Sequence, residues 1–183
     1  MTQRYHDLMF TPAVLTRQEQ NGSRAAYARD APAPGPDRLT GAEIRFIMAR
    51  DSFYMATNGA DGWPHLQHRG GPKGFVRVID ESTLAFADFR GNRQFITLGN
   101  LDTDDRASLF FVDYPARARL KLLCHVRAVS LEGEPELAEA LALPGYRAHP
   151  ERAFLMRVEA FDWNCSQHIT PRFTEDEIIH LGA

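Results

Sequence analysis

The sequence predicts a mainly β fold, with six or seven antiparallel strands in a small closed barrel and helices at both ends and inserted between strands. Three observations point there. From Ser52 onward the hydrophobic period shortens towards two, the spacing at which a strand places alternate side chains on one face. Short strand-like runs are separated by turn residues, beginning with Asn58-Gly59 and Asp61-Gly62. Helical spacing is confined to the first fifty residues, two short internal stretches and the last ten residues.

The elements follow in order. "FTPAVLTRQEQNGSRAAYAR" offers Thr11 as an N-cap and Pro12 at the first helical position, and Asn21-Gly22 divides it into one or two short helices. "DAPAPGPDR" is a Pro-rich extended connector. In "LTGAEIRFIMAR", Thr40 and Glu43 form a capping box ahead of a buried stripe of Ile44, Ile47 and Met48. Strands are expected at "SFYMATNG", "PHLQHRG", "FVRVI" (75–79) and "TLAFADF" (83–89), then a short helix over "GNRQFITLGNL". "ASLFFVDY" (107–114) is apolar on both faces and so central. "RLKLLCHVRAV" alternates most clearly, with Leu120, Leu122, Cys124, Val126 and Ala128 on one face. A helix over "EPELAEALAL" ends at Pro144-Gly145, a long strand fills 153–163, and "TEDEIIHL" makes a final helix with acids in its first turn.

Composition narrows the function classes. At 183 residues, 44% hydrophobic and 25% charged, the chain matches one ordinary soluble domain. No apolar run approaches the ~18 residues of a membrane span, and "MTQRYHDLMF" lacks the pattern of a secretory signal. A net charge of −3 disfavours a general nucleic-acid binder. Two cysteines, Cys124 and Cys165, are too few for a disulfide framework and fit a reducing cytoplasm.

Against this acidic background two segments concentrate positive charge. One, 64–79, carries His68, Arg69, Lys73 and Arg77 around Gly70-Gly71-Pro72, without an acidic residue. The other, "DFRGNRQ" (88–94), carries Arg90 and Arg93, and no acid follows until after Leu101. It lies where a strand hands over to a helix N-terminus, a place that favours anions. If the two strands are neighbours, Arg69, Lys73 and Arg93 can converge on a phosphate. Surface arginines and a Gly-Gly-Pro loop are also ordinary features, and neither segment is a Walker loop or a dinucleotide fingerprint.

The C-terminal "FDWNCSQHITPRF" adds an aromatic surface and hydrogen-bonding groups at Trp163, Asn164, Gln167 and His168, suited either to a heterocycle or to plain packing. A metal site is disfavoured, because His65 and His68 lie three apart on a strand and face opposite ways. No Gly-x-Ser-x-Gly elbow supports a serine hydrolase, and Cys165 has no recognisable nucleophile context.

The run from "FYMATNGADGWPHLQHRGGPKGFVRVIDESTLAFADFRGNRQFITLGNL" to "RASLFFVDY" resembles the pyridoxamine 5'-phosphate oxidase-like, FMN-binding split-barrel proteins. The likeness covers about 40–173, and "DWNCSQHI" resembles one branch of the family. It implies a six-stranded split barrel, a homodimer, and FMN in a groove at the subunit interface. By this resemblance Arg69 grips the FMN phosphate, with His68, Gly70 and Gly71 along the flavin and Lys73 assigned to phosphate by charge. Asp88 and Phe89 occupy the strand end whose backbone meets the isoalloxazine ring. Asn92 and Arg93 match a phosphate-gripping pair whose first member is basic in the family. Gln94 opens the following helix and Asn100 lies near its end. Trp163, Gln167 and His168 correspond to a segment that reaches the flavin from the partner subunit.

The arginine-containing C-terminal motif that true pyridoxamine phosphate oxidases use for their substrate is not evident, since Arg172 sits too late. The resemblance therefore implies an FMN-dependent oxidoreductase acting on a small molecule, without a catalytic side chain named. The alternatives are a flavin carrier or sensor, or a member binding F420 or haem. The expected organisation is one domain over 1–183: a helical extension and connector (1–39), the barrel (40–173) and a C-terminal helix (174–183). The expected setting is cytoplasmic, with no nucleic-acid or membrane partner.

Overall fold

The computed structural model describes residues 1–29, 31–148, 150–163 and 167–181. Seven strands form one antiparallel sheet: β1 (Ser52–Asn58), β2 (Pro64–Gly70), β3 (Arg77–Asp80), β4 (Thr83–Phe89), β5 (Arg106–Asp113), β6 (Ala118–Ser130) and β7 (Pro150–Trp163). Their order across the sheet is β2-β1-β5-β6-β7-β4-β3. The seven period-two segments are thus all strands, one more than the six implied by resemblance. The ladder is not closed: β2 and β3 end it and do not pair with each other.

The sheet nevertheless rolls on itself. Phe53 of β1 stacks on Phe111 of β5 at 4.8 Å and meets Phe86 of β4 edge-on at 5.4 Å, although three strands separate β1 from β4 in the ladder. Phe86 continues to Phe154 of β7 at 5.2 Å. These rings, with Met55, Leu84, Leu109, Leu120, Leu122, Met156 and Val158, make a core in which each is less than 2% exposed except Phe86 at 2%. Right-handed strand twist accumulating across the sheet supplies the curvature, and removal of these side chains from water stabilises it. Alternation along β6 predicts its inward face correctly for Leu120, Leu122, Cys124 and Val126, but Ala128 is exposed because the strand there has run past the core.

The helices hold the periphery. α1 (Gln3–Met9), unforeseen in the sequence, is capped by Thr2 and tied to β7 by the Arg4–Glu159 ion pair. α2 (Pro12–Asn21) has the expected Thr11 cap and ends at Gly22, whose φ of 78° suits glycine. A 3-10 turn follows at Arg24–Tyr27. α3 (Gly41–Met48) carries the Thr40–Glu43 capping box as expected. Its Glu43 also accepts the Trp163 indole N–H at 2.6 Å, and Phe46 meets the Trp163 ring edge-on at 4.7 Å. α4 (Ile96–Leu101), α5 (Pro135–Ala140) and α6 (Glu175–Leu181) complete the chain. Among the described residues no helix is long and apolar enough to cross a membrane.

Candidate functional site

The seam between β2 and β4 is bridged by side chains instead of backbone. Arg69 on β2 donates from Nη1 to Asp88 Oδ1 on β4 at 3.1 Å. Its Nη2 donates to Thr97 Oγ1 at 3.1 Å, and that hydroxyl donates in turn to Gln67 Oε1 at 3.1 Å. The guanidinium carbon lies 5.3 Å from the Phe154 ring centroid and 5.8 Å from that of Phe86, so the cation rests on the aromatic end of the core. Its Nε is buried with no hydrogen-bond partner. Burial lowers the Arg69 pKa from its ordinary value, which Asp88 partly offsets, and the group stays charged.

A cleft of about 190 Å³ opens beside this bridge. Period two puts Gln67 and Arg69 on the side of β2 that faces it. Asp88 and Phe89 come from the end of β4, Glu151 and Arg152 from the start of β7, and residues 91–97 close the rim. Arg152 donates to Asp88 Oδ2 at 3.3 Å and to Glu151 Oε2 at 3.2 Å, and lies 5.5 Å from the Phe95 ring. Arg90 pairs with Glu151 at 3.3 Å. Burial pushes the Asp88 carboxyl above its ordinary pKa, an effect that Arg69 and Arg152 only partly offset.

The rim loop is strained. Arg93 (φ 60°) and Phe95 (φ 55°) both take the left-handed conformation that side chains disfavour, at a cost of about 1–3 kcal/mol each. Asn92 Oδ1 accepts the Gln94 N–H at 3.2 Å and helps to fix the turn. Arg93 is exposed at the cleft and makes no ion pair among the described residues. The expected helix over 91–101 is corrected here: α4 starts at Ile96, with Phe95 as its N-cap, so Gln94 precedes the helix. Left-handed residues at 93 and 95 interrupt helical geometry, and any amide donors to an anion are loop amides.

The structure therefore brings together Arg69, Asp88, Phe89, Asn92, Arg93 and Gln94. It leaves the other candidates elsewhere. His68 points to the opposite face of β2, where its ring meets Tyr54 at 5.6 Å. Gly71 is small for packing, because a Cβ there would lie 2.8 Å from Phe75 Cβ and Cγ. Gly70 sits against His68 and Asp51. Lys73 lines a separate cavity with Tyr54, Tyr114, Arg172 and Glu177. Asn100 donates to Thr57 Oγ1 at 2.9 Å. Trp163 is engaged by Glu43 and Phe46, while Gln167 and His168 lie in the turn beyond β7. Asn164 and Cys165 fall outside the described residues.

Thr97, Glu151 and Arg152 belong to the cleft and were missed. Glu151-Arg152 follows a loop and precedes the long apolar run of β7, and only the β4–β7 register, Asp88 opposite Arg152, brings it in. The acid-free segments are corrected in the same way. Residues 64–79 and 89–101 are locally free of carboxylates, yet Asp88 and Glu151 compensate Arg69 and Arg90 through space. Arg69, Arg93 and Arg152 against Asp88 and Glu151 still leave a surplus of one positive charge on the cleft wall.

A sequence model of pyridoxamine 5'-phosphate oxidase matches residues 40–161. The chain belongs to that family. The matched range begins at the cap of α3 and includes β1–β6, most of β7 and the whole cleft wall. Solved structures share the fold. HupZ from Group A Streptococcus superposes with a TM-score of 0.54 at 15% identity, over 74% of this chain and 100% of that one. A protein of the pyridoxinephosphate oxidase family from Clostridium acetobutylicum, related to general stress protein 26, gives 0.51 at 17% over 75% and 94%. An FMN-binding protein from Syntrophomonas wolfei gives 0.52 at 11% over 68% and 85%. At these identities the likeness is one of fold. No curated protein matches the chain in sequence.

Proposed function

We propose that the cleft binds FMN and that the protein is a flavin-dependent oxidoreductase, moving hydride between a reduced donor and a small organic substrate. The observation that carries this reading is the cationic, strained rim: Arg93, with no ion pair among the described residues, sits on a left-handed backbone in the same cleft as Arg69, whose buried Nε has no partner. Family membership supports it. The residues fit a phosphate group. One wall supplies a net positive charge, and Arg93 stands exposed at its rim.

Bound flavin would supply the hydride chemistry, and the chain's residues would supply binding, orientation and electrostatics. Arg93 and Asn92 would take the phosphate at the rim, with Arg69 and Arg152 behind them. Phe89 and Phe95 offer apolar surface at the same opening. At about 190 Å³ the cleft is smaller than the ~300–1,000 Å³ usual for a ligand pocket, which supports a site completed by a second copy. The outer face of β1, β2 and β5 suits such a copy: Leu66 is 65% exposed and Tyr54 37%, with Phe110 opposite Tyr54. In that homodimer the rolled sheet is the split barrel of the family, and Gln167 and His168 would reach the flavin of the other subunit. A helical extension with its Pro-rich connector (1–39) and the C-terminal segment from 174 flank one barrel domain, working in the cytoplasm.

A second reading, a flavin carrier with little turnover, gains support from Asp88, whose carboxylate already engages two of the arginines. The visible spectrum of freshly purified protein, before and after FMN addition and desalting, tests binding. Retained flavin bands, lost in Arg93→Ala, uphold the reading. A colourless protein that retains no added FMN removes it and turns the question to F420 or haem. Stopped-flow mixing of the loaded protein with NADH or NADPH then separates enzyme from carrier.

A further inference from the structure

Asp88 occupies an unusual place for a carboxylate in a cleft read as a phosphate site. It projects from the end of β4 and binds guanidiniums from two other strands, Arg69 of β2 through Oδ1 and Arg152 of β7 through Oδ2. Both arginines line the cleft, and so does Asp88 itself. Arg69 is further committed to Thr97, and its Nε is buried with no hydrogen-bond partner. Glu151 draws on Arg152 and Arg90 from the other side. Of the cleft's arginines, only Arg93 carries no internal counterion among the described residues.

A phosphate entering this cleft has to share Arg69 and Arg152 with a fixed group of its own charge. The repulsion is strong because the site is only partly solvated. A phosphate-free flavin meets no such penalty. Resting on the reading of the cleft as a flavin site, we propose that Asp88 is its specificity-determining residue, an internal counterion that lowers affinity for phosphate-bearing ligands relative to phosphate-free ones and so makes FMN readily exchangeable. Burial raises the Asp88 carboxyl pKa, and the charges of Arg69 and Arg152 lower it only in part. An incoming phosphate competes for those same two groups.

Fluorescence titration of the full chain with FMN and with riboflavin tests this. Asp88→Asn keeps an oxygen for Arg69 Nη1 and removes the charge. It is expected to bind FMN roughly tenfold tighter with riboflavin affinity unchanged, the size of effect that one charge-assisted contact produces. Arg69→Gln is expected to lower the FMN-to-riboflavin preference by a similar factor. The Arg69→Gln/Asp88→Asn double variant, which replaces the buried pair by neutral groups, should restore it.

Equal changes for both flavins in Asp88→Asn, or weaker FMN binding, would overturn the proposal. If Asp88→Asn alone does not fold, the two Arg69 variants decide, and a double variant no better than Arg69→Gln overturns it. If the wild-type chain binds neither flavin, the flavin reading fails by itself. Titration with inorganic phosphate then decides the role of Asp88: tighter binding in Asp88→Asn upholds the counterion, and equal binding removes it.

Discussion

Arg69 and Asp88 meet at 3.1 Å across a seam where β2 and β4 share no backbone hydrogen bond. One ion pair thus joins strands that lie five places apart in the ladder order β2-β1-β5-β6-β7-β4-β3, and the same two side chains form the back wall of the cleft. Removing Asp88 leaves Arg69 without its counterion in a largely buried place, whereas removing Arg69 leaves Asp88 with Arg152.

Arg69→Ala is accordingly expected to cost about 1.5–3 kcal/mol of stability, the range for hydrogen bonds to charged groups, with Arg152 still holding Asp88. Urea unfolding of the single variants and of Arg69→Ala/Asp88→Ala checks it. The double variant should lose less than the sum of the two single losses, because the Arg69–Asp88 contact is counted in both single losses and Asp88→Ala alone also leaves Arg69 without its counterion.

Glu43 gives a pH prediction. Its burial raises the carboxyl pKa, but hydrogen bonds from Thr40 Oγ1, the Thr40 backbone N–H and the Trp163 indole outweigh this and leave it lowered. A depressed carboxyl contributes stability above its unfolded pKa and loses it as pH falls through the folded one. Wild type should therefore lose stability below the ordinary carboxylate range more steeply than Glu43→Gln, as read from denaturant midpoints between pH 7 and pH 3. Equal slopes would show that Glu43 contributes nothing to acid sensitivity.

The aromatic core should be intolerant of truncation. Phe53 touches Phe75, Phe86 and Phe111 and is 1% exposed. Phe53→Ala is expected to cost about 3–5 kcal/mol, through lost transfer free energy and the cavity left behind. A loss below about 1 kcal/mol in calorimetry would mean that the core collapses to fill the space.

Cys124 is 2% exposed, and burial pushes its thiol pKa up. In a Cys165→Ser background it should resist a thiol reagent in the native protein and react fully in denaturant. Rapid native labelling would contradict the buried position on β6.

The exposed outer face makes a prediction about assembly. Leu66→Glu places a charge on the apolar surface of β2 without disturbing the core, since Leu66 is 65% exposed. If that face seats a second copy, light scattering should show a dimer in wild type and a mass near that of a single 20.7 kDa chain in the variant.

Local signals were legible in the sequence because their causes are local. The Thr11 cap with Pro12, the Thr40–Glu43 box and the inward face of β6 each depend on residues within a few positions of one another. Hairpin chemistry was legible in outline only. The β1–β2 turn forms where Asn58-Gly59 predicts it, but the left-handed residue is Gly62 (φ 83°), because the loop spans five residues and not two. Helix α1 escaped notice since it is short and owes its place to Glu159, more than 150 residues away.

The strand segments, the family resemblance and the positive charge at Arg69 and Arg93 are written along the chain, in its periodicity and motif spacing. Which charges meet follows from the folded sheet. Strand register set Asp88 opposite Arg152, the roll of the sheet carried Arg69 to Asp88, and the left-handed turn at Arg93 and Phe95 moved the start of α4. Lys73 was separated from the other cations by the same folding. Charge compensation depends on distance in space, and residues 64 apart in sequence become partners only when the sheet brings them within hydrogen-bonding reach.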